Sequence, residues 1–147
     1  MDYNKLAAEL VGNLRALSRA GPQRAIDDVL HGEAFILIYI QNRDGDVLPG
    51  EISAIMDVSS ARVAAALNSM EKKGLITRRI DDNDRRKILV GITEKGREQA
   101  EKYQATVTGI AANVLELLGE NDAKEYIRIT GRLVNMAIQH NELHLLR

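Results

Sequence analysis

Leucine and valine recur at helical spacing from the first turns of the chain. Leu6, Leu10, Val11, Leu14 and Leu17 fall on one face of a segment from Tyr3 to Ala20, with Gly21-Pro22 as its end. The run Ala34-Phe35-Ile36-Leu37-Ile38-Tyr39-Ile40 is apolar nearly all round and predicts a buried central helix over about Gly32 to Asn42. Its β-branched content also permits a strand. Asp44-Gly45-Asp46 reads as a turn and Val47-Leu48 as a short strand. Pro49 suits the first position of a helix to Met56 that buries Ile52 and Ile55.

Asp57-Val58-Ser59 breaks that helix, and Ser59 caps the next, Ser60 to Lys73. Val63, Ala66, Leu67 and Met70 form its apolar stripe, and Gly74 stops it behind Lys72 and Lys73. Leu75 to Ile80 and Lys87 to Ile92 read as two strands joined by the turn-rich Asp81-Asp82-Asn83-Asp84. Thr93 caps a long helix to Leu118, with apolar positions at Ala100, Tyr103, Val107, Ile110, Ala111 and Val114. Gly119-Glu120-Asn121 breaks it, and a last helix runs from about Asp122 to Leu145. The predicted order is helix, helix, helix, helix, hairpin, long helix, helix. Two short helices joined by a tight turn and followed by a hairpin form a winged helix-turn-helix. The fold class is therefore mainly α with a small β-hairpin wing.

Charge sharpens this picture. The 147 residues carry a net charge of −1, which alone argues against a nucleic-acid partner. The window Val58–Arg97, however, holds ten Lys or Arg against five acids, while the remainder holds ten against sixteen. A basic centre between acidic ends can offer phosphate one face. On the helix from Ser60, the residues Ser59, Ser60, Arg62 and Asn68 lie off the apolar stripe. Serine can bond phosphate or base, and arginine can take guanine in bidentate fashion. On the hairpin, Arg78, Arg79, Arg85, Arg86 and Lys87 can follow the DNA backbone or enter the minor groove. One of Asp81, Asp82 and Asp84 is expected to pair with a wing arginine and hold the turn.

Other chemistry finds little support. The chain has no cysteine, hence no disulfide, thiolate metal site or peroxide-sensing thiol. No phosphate-binding glycine loop or hydrolase motif occurs, so no enzyme is expected, and no cofactor. No apolar run reaches 18 residues and the start lacks signal-peptide features, so a cytoplasmic address without a membrane partner is expected. His140 and His144, four apart with Glu142 near, raise a metal-responsive alternative. A winged-helix module that binds protein is the other alternative.

The stretch Leu48–Gly96 resembles the MarR family of transcription regulators. The motifs are Glu71-Lys72-Lys73-Gly74-Leu75-Ile76, then Arg79, then Asp84-Arg85-Arg86, then Ile92-Thr93-Glu94-Lys95-Gly96. They match a helix ending in "LEKKGLI", a wing with D-x-R, and an "LTEKG" helix start. The departures are Leu48 and Gly50 at the first helix of the motif, the alanines at 64–66, Met70, and Ile92. The resemblance implies one domain over 1–147, with dimerisation helices at 1–42 and 98–147 around a winged helix-turn-helix at 46–97. It implies a homodimer on double-stranded DNA with a palindromic operator. Ser59, Ser60 and Arg62 would then sit at the groove, Asp84 and Arg86 would form the D-x-R pair, and Arg85 would lie at the wing tip. It also implies a repressor released by a small aromatic or anionic ligand, for which Arg15, Arg19 and His31 are candidate carboxylate partners.

Overall fold

A computed structural model describes the backbone of residues 1–140. It contains, in order, α1 (Tyr3–Leu17), α2 (Gly21–His31), α3 (Glu33–Gln41), α4 (Pro49–Met56), α5 (Ser60–Lys72), β1 (Ile76–Ile80), β2 (Ile88–Ile92), α6 (Glu94–Leu118) and α7 (Glu120–His140). The chain divides into two compact units, Met1–Thr108 and Gly109 onward.

In the first unit, α1 opens on Asp2, whose carboxylate accepts from the backbone N–H of Asn4 and Lys5. Its apolar stripe is present as expected, but Leu6, Leu10, Val11, Leu14 and Leu17 are all exposed. The next element corrects the sequence reading. Gly21-Pro22 begins a helix instead of merely closing one, because proline in the first turn lacks only an N–H that has no intrahelical partner. Ile26, Val29 and Leu30 have the spacing that could have revealed it.

The all-round apolar α3 is a helix and not a strand, and it buries Ala34, Ile36, Leu37 and Ile40. Ile36, Leu37 and Ile40 meet Val47, Ile52, Val63, Leu67, Met70, Ile76 and Val90 in one core cluster. On α4, Ile52 is fully buried but Ile55 is 53% exposed, so only one of the two expected isoleucines enters the core. With Leu48 unable to cap α4, Glu51 accepts from the Leu48 N–H at 3.1 Å. Asp57 adopts the left-handed conformation, φ 51°, and turns the chain into α5.

The Ser59 hydroxyl accepts from the Arg62 N–H at 3.3 Å and starts α5. The helix ends on Gly74 at φ 72°, with Gly74 N–H bonded to the Glu71 carbonyl and Leu75 N–H to that of Met70. Strands β1 and β2 pair antiparallel, with Ile76 opposite Ile92, Arg78 opposite Val90 and Ile80 opposite Ile88. Val47 adds an isolated bridge to Val90 on the other side of β2. Thr93 caps α6 as expected, accepting from the Gly96 N–H at 3.0 Å, and its hydroxyl lies 2.7 Å from the Gly74 carbonyl and 3.0 Å from that of Leu75. A Cβ at Gly96 would overlap the Leu75 carbonyl, so glycine is needed there.

The second unit comprises the end of α6 and α7. Gly119, at φ 80°, ends α6 by itself, and α7 begins directly at Glu120. Tyr126, Ile127, Ile129, Leu133, Val134 and Met136 of α7 are exposed. Among the described residues, no helix is long and apolar enough to cross a membrane.

Candidate nucleic-acid interface

The residues on α5 divide by face. Val63, Leu67 and Met70 point into the core, whereas Ser60, Ala61, Arg62, Ala64, Ala65 and Asn68 are exposed. The alternation follows from the 3.6-residue repeat, which leaves the intervening positions to solvent. Ser59 is committed through its hydroxyl to the helix start. Ser69 bonds Glu33 of α3.

The hairpin sorts its basic residues into two groups. Arg78 and Arg79 are engaged. Arg78 donates to Glu71 of α5 from Nε at 3.0 Å and from Nη2. Arg79 donates to Asp46 Oδ2 from Nη2 at 2.7 Å and Nε at 3.2 Å. The second group lies at the turn. Arg85 has no hydrogen bond or ion pair to another described residue, and the side chain of Arg86 is 92% exposed. Asp84 organises this turn. Its Oδ1 accepts from the Arg86 N–H at 3.1 Å and from Arg86 Nε at 3.3 Å, its carbonyl accepts from the Lys87 N–H at 2.8 Å, and Lys87 Nζ lies 3.9 Å from Oδ2. The expected pairing of a wing aspartate with a wing arginine is thus present.

Two carboxylates brace α5. The Glu71 carboxyl is held below its ordinary range chiefly by the hydrogen bond from Arg78, against a smaller upward pull of burial. For Glu33, burial pulls the pKa up, but bonds from Lys73 and Ser69 and the Lys73 charge outweigh it, and the net shift is downward. The Lys73 ammonium donates to Glu33 at 2.6 Å, which raises the lysine pKa. Lys95 Nζ in turn donates to the Lys73 carbonyl at 2.7 Å. Glu71, Glu33 and Asp46 escaped the sequence reading because acid–base partners in different elements leave no local spacing signal.

A cleft opens beside the start of α5, lined by His31, Phe35, Ile55, Met56, Val58 and Arg62. Of the three candidate carboxylate partners, His31 lines it and Arg15 and Arg19 do not. The His31 Nδ1 lies 3.0 Å from the Asp27 carbonyl, which can only accept, so Nδ1 carries the proton in that bond. Among the described residues no cluster of His, Asp and Glu could hold a metal ion. His144 lies outside the described residues, as does the side chain of His140.

This arrangement of a capped helix, a tight turn and a basic-tipped hairpin has known counterparts. A family model described as MarR family matches residues 27–87, from α2 to the hairpin turn. Over these residues the chain is similar to the MarR family. It is 27% identical over 138 residues to the uncharacterized HTH-type transcriptional regulator YwhA of Bacillus subtilis (strain 168), covering 90% of this chain and 99% of that protein. It is 28% identical over 109 residues to the HTH-type transcriptional repressor MdtR of the same organism, covering 74% of this chain and 70% of that one. Its fold matches the crystal structure of Streptococcus pneumoniae FabT in complex with DNA, with a TM-score of 0.65 and 23% identity over 99% of this chain and 100% of that one.

Proposed function

We propose that this chain is a cytoplasmic MarR-family repressor, and not an enzyme, that binds a palindromic operator as a homodimer and leaves it when a small anionic effector binds. The observation that carries the reading is the pairing of an exposed helix face with an exposed basic tip. Ser60, Arg62 and Asn68 of α5 are exposed, and Arg85 and Arg86 project from the hairpin turn beside Lys87. A helix of this diameter fits the major groove, and a basic tip fits the negative potential of the adjacent minor groove. In this reading Ser59 and Asp84 shape the two contact elements, and Arg78 bridges them. That FabT is solved with DNA supports the same use of the fold, and that MdtR is a repressor supports the direction of control.

The homodimer is supported by exposed apolar side chains on both flanking elements. Leu6, Leu10, Leu14 and Leu17 on α1, and Tyr126, Leu133 and Val134 on α7, are each more than two-fifths exposed, a costly state for helices in water. A second copy that covers both faces gives the paired helices and wings that a palindrome requires. The flanking helices at 1–42 and 98–147 would thereby serve dimerisation and 46–97 would serve DNA. For release, the cleft supplies an apolar floor from Phe35, Ile55 and Met56 and two polar groups, His31 and Arg62. An aromatic carboxylate bound there would draw Arg62 away from DNA.

The deciding experiment is fluorescence anisotropy of the purified protein on the duplex upstream of its own gene, at several salt concentrations, beside Arg85→Ala/Arg86→Ala. Tight binding that weakens steeply with salt and is lost in the double variant is expected. Unchanged affinity of the double variant would remove the wing from the interface, and a folded dimer that binds no genomic duplex would leave a protein-binding role.

A further inference from the structure

Arg79 belongs by sequence to the basic set of the hairpin, yet its surroundings assign it other work. Val47 and Val90 exchange two backbone hydrogen bonds, each 2.9 Å, so the segment before α4 lies along the edge of β2 opposite to β1. This antiparallel bridge sets Asp46 beside Gly91, while Gly91 pairs on its other side with Thr77 of β1. To reach Asp46, the Arg79 side chain must cross β2, and it makes two hydrogen bonds there, at 2.7 and 3.2 Å to the same oxygen. Gly91 makes room for this crossing. A Cβ at that position would stand 2.6 Å from Asp46 Oδ1 and 3.3 Å from Thr77 Oγ1. Any other residue would push the carboxylate aside.

A two-stranded ribbon is marginal in water and free to twist. The Val47 bridge anchors β2 alone. The bond from Arg79 to Asp46 ties β1, the outer strand, to the same anchor. We propose that Arg79 is a positioning residue: latched to Asp46 across Gly91, it fixes the direction of the hairpin and makes no phosphate contact itself. The inference rests on the reading that the hairpin meets DNA. A guanidinium that already holds a carboxylate has less to gain from a phosphate than the unpaired Arg85, and it would have to give up two hydrogen bonds to reach one.

The test compares wild type with Asp46→Asn, Arg79→Gln and the double variant. Two readouts are taken: backbone hydrogen exchange over residues 76–92 without DNA, and affinity with hydroxyl-radical footprinting on the upstream duplex. The latch predicts faster hairpin exchange in each single variant and affinity losses of up to about fivefold, the worth of an exposed ion pair. The double variant should be no worse than either single one. The slope of log affinity against log salt should stay that of wild type, and the footprint should fade where the wing lies while protection by α5 persists. A merely global destabilisation would weaken the whole footprint together. The proposal is overturned if Arg79→Gln lowers the salt slope by about 0.9, the signature of one lost phosphate contact, while Asp46→Asn binds as well as wild type or better. If wild type binds no duplex, the DNA reading fails and hydrogen exchange alone decides the latch, with unchanged exchange rates overturning it.

Discussion

Arg78, in the first strand of the hairpin, donates from both Nε and Nη2 to a single oxygen of Glu71 in the last turn of α5. The helix that carries the exposed serine and arginine and the strand that leads to the basic turn are therefore bonded directly, side chain to side chain. The Glu33–Lys73 pair joins the same end of α5 to α3.

These two bonds give stability a pH dependence of known sign. Glu33 and Glu71 both have folded pKa values below the ordinary 4.5. Their contribution is fully present above that ordinary value and is lost as pH falls through the lower folded values. Lys73, shifted upward, keeps its contribution at neutral pH and loses it only in strong alkali. The expected outcome is a thermal midpoint for Glu33→Gln/Glu71→Gln that lies below wild type at pH 7 and converges on it toward pH 3. Melting curves across that range check this, and a gap that stays constant with pH would rule it out.

Neighbouring serines should separate stability from binding. Ser59→Ala removes the oxygen that accepts from the Arg62 N–H and should cost about 1 kcal/mol in urea unfolding. Ser60→Ala loses no such bond and should stay within about 0.5 kcal/mol of wild type. On the upstream duplex the order reverses if Ser60 meets DNA, with Ser60→Ala the weaker binder after both proteins are compared well below their melting points.

Gly96→Ala drives a methyl group into the Leu75 carbonyl at the junction of α5, β1 and α6. Overpacking against backbone costs about 1–3 kcal/mol or more, because the carbonyl cannot rotate away as a side chain could. Chemical denaturation measures the loss. Gly109→Ala is the control, since a Cβ there meets nothing within 4 Å and alanine favours the helix.

Leu10→Asp/Leu14→Asp tests the assembly. Both leucines are exposed in the single chain, at 58% and 55%, so aspartate there costs the folded monomer little. If a second copy covers them, the charges are buried without partners and the dimer fails. Sedimentation equilibrium should then give the monomer mass with helical content retained. A dimer of unchanged strength would place the interface elsewhere.

Periodicity made most of the fold legible before any coordinate. The stripe of α5, the apolar run of α3, the caps Ser59 and Thr93 and the stop at Gly74 are all local signals, and each has its expected structural role. Helix α2 is not legible from Gly21-Pro22 alone, because that pair can punctuate either the end of one helix or the beginning of the next. Ile55 shares a helical face with Ile52, so spacing alone puts both in the core; in the structure Ile55 stays exposed and lines the cleft with Phe35 and Met56. In the candidate site, the exposed set on α5 and the turn residues Arg85 and Arg86 could be read from spacing. The engagement of Arg78 and Arg79 could not, since Glu71 and Asp46 lie in other elements, Asp46 33 positions from Arg79 and brought close by the Val47–Val90 bridge.

The division of α5 into a mounting and a display has a consequence for how such a chain can diversify. Val63, Leu67 and Met70 fasten the helix, while the exposed Ala61, Ala64 and Ala65 add little to that fastening. If α5 meets DNA as proposed, three positions of its contact surface are close to blank. On that reading, longer polar side chains there would write new base preferences while the fold stays intact, and a change of target sequence would need no passage through an unstable intermediate.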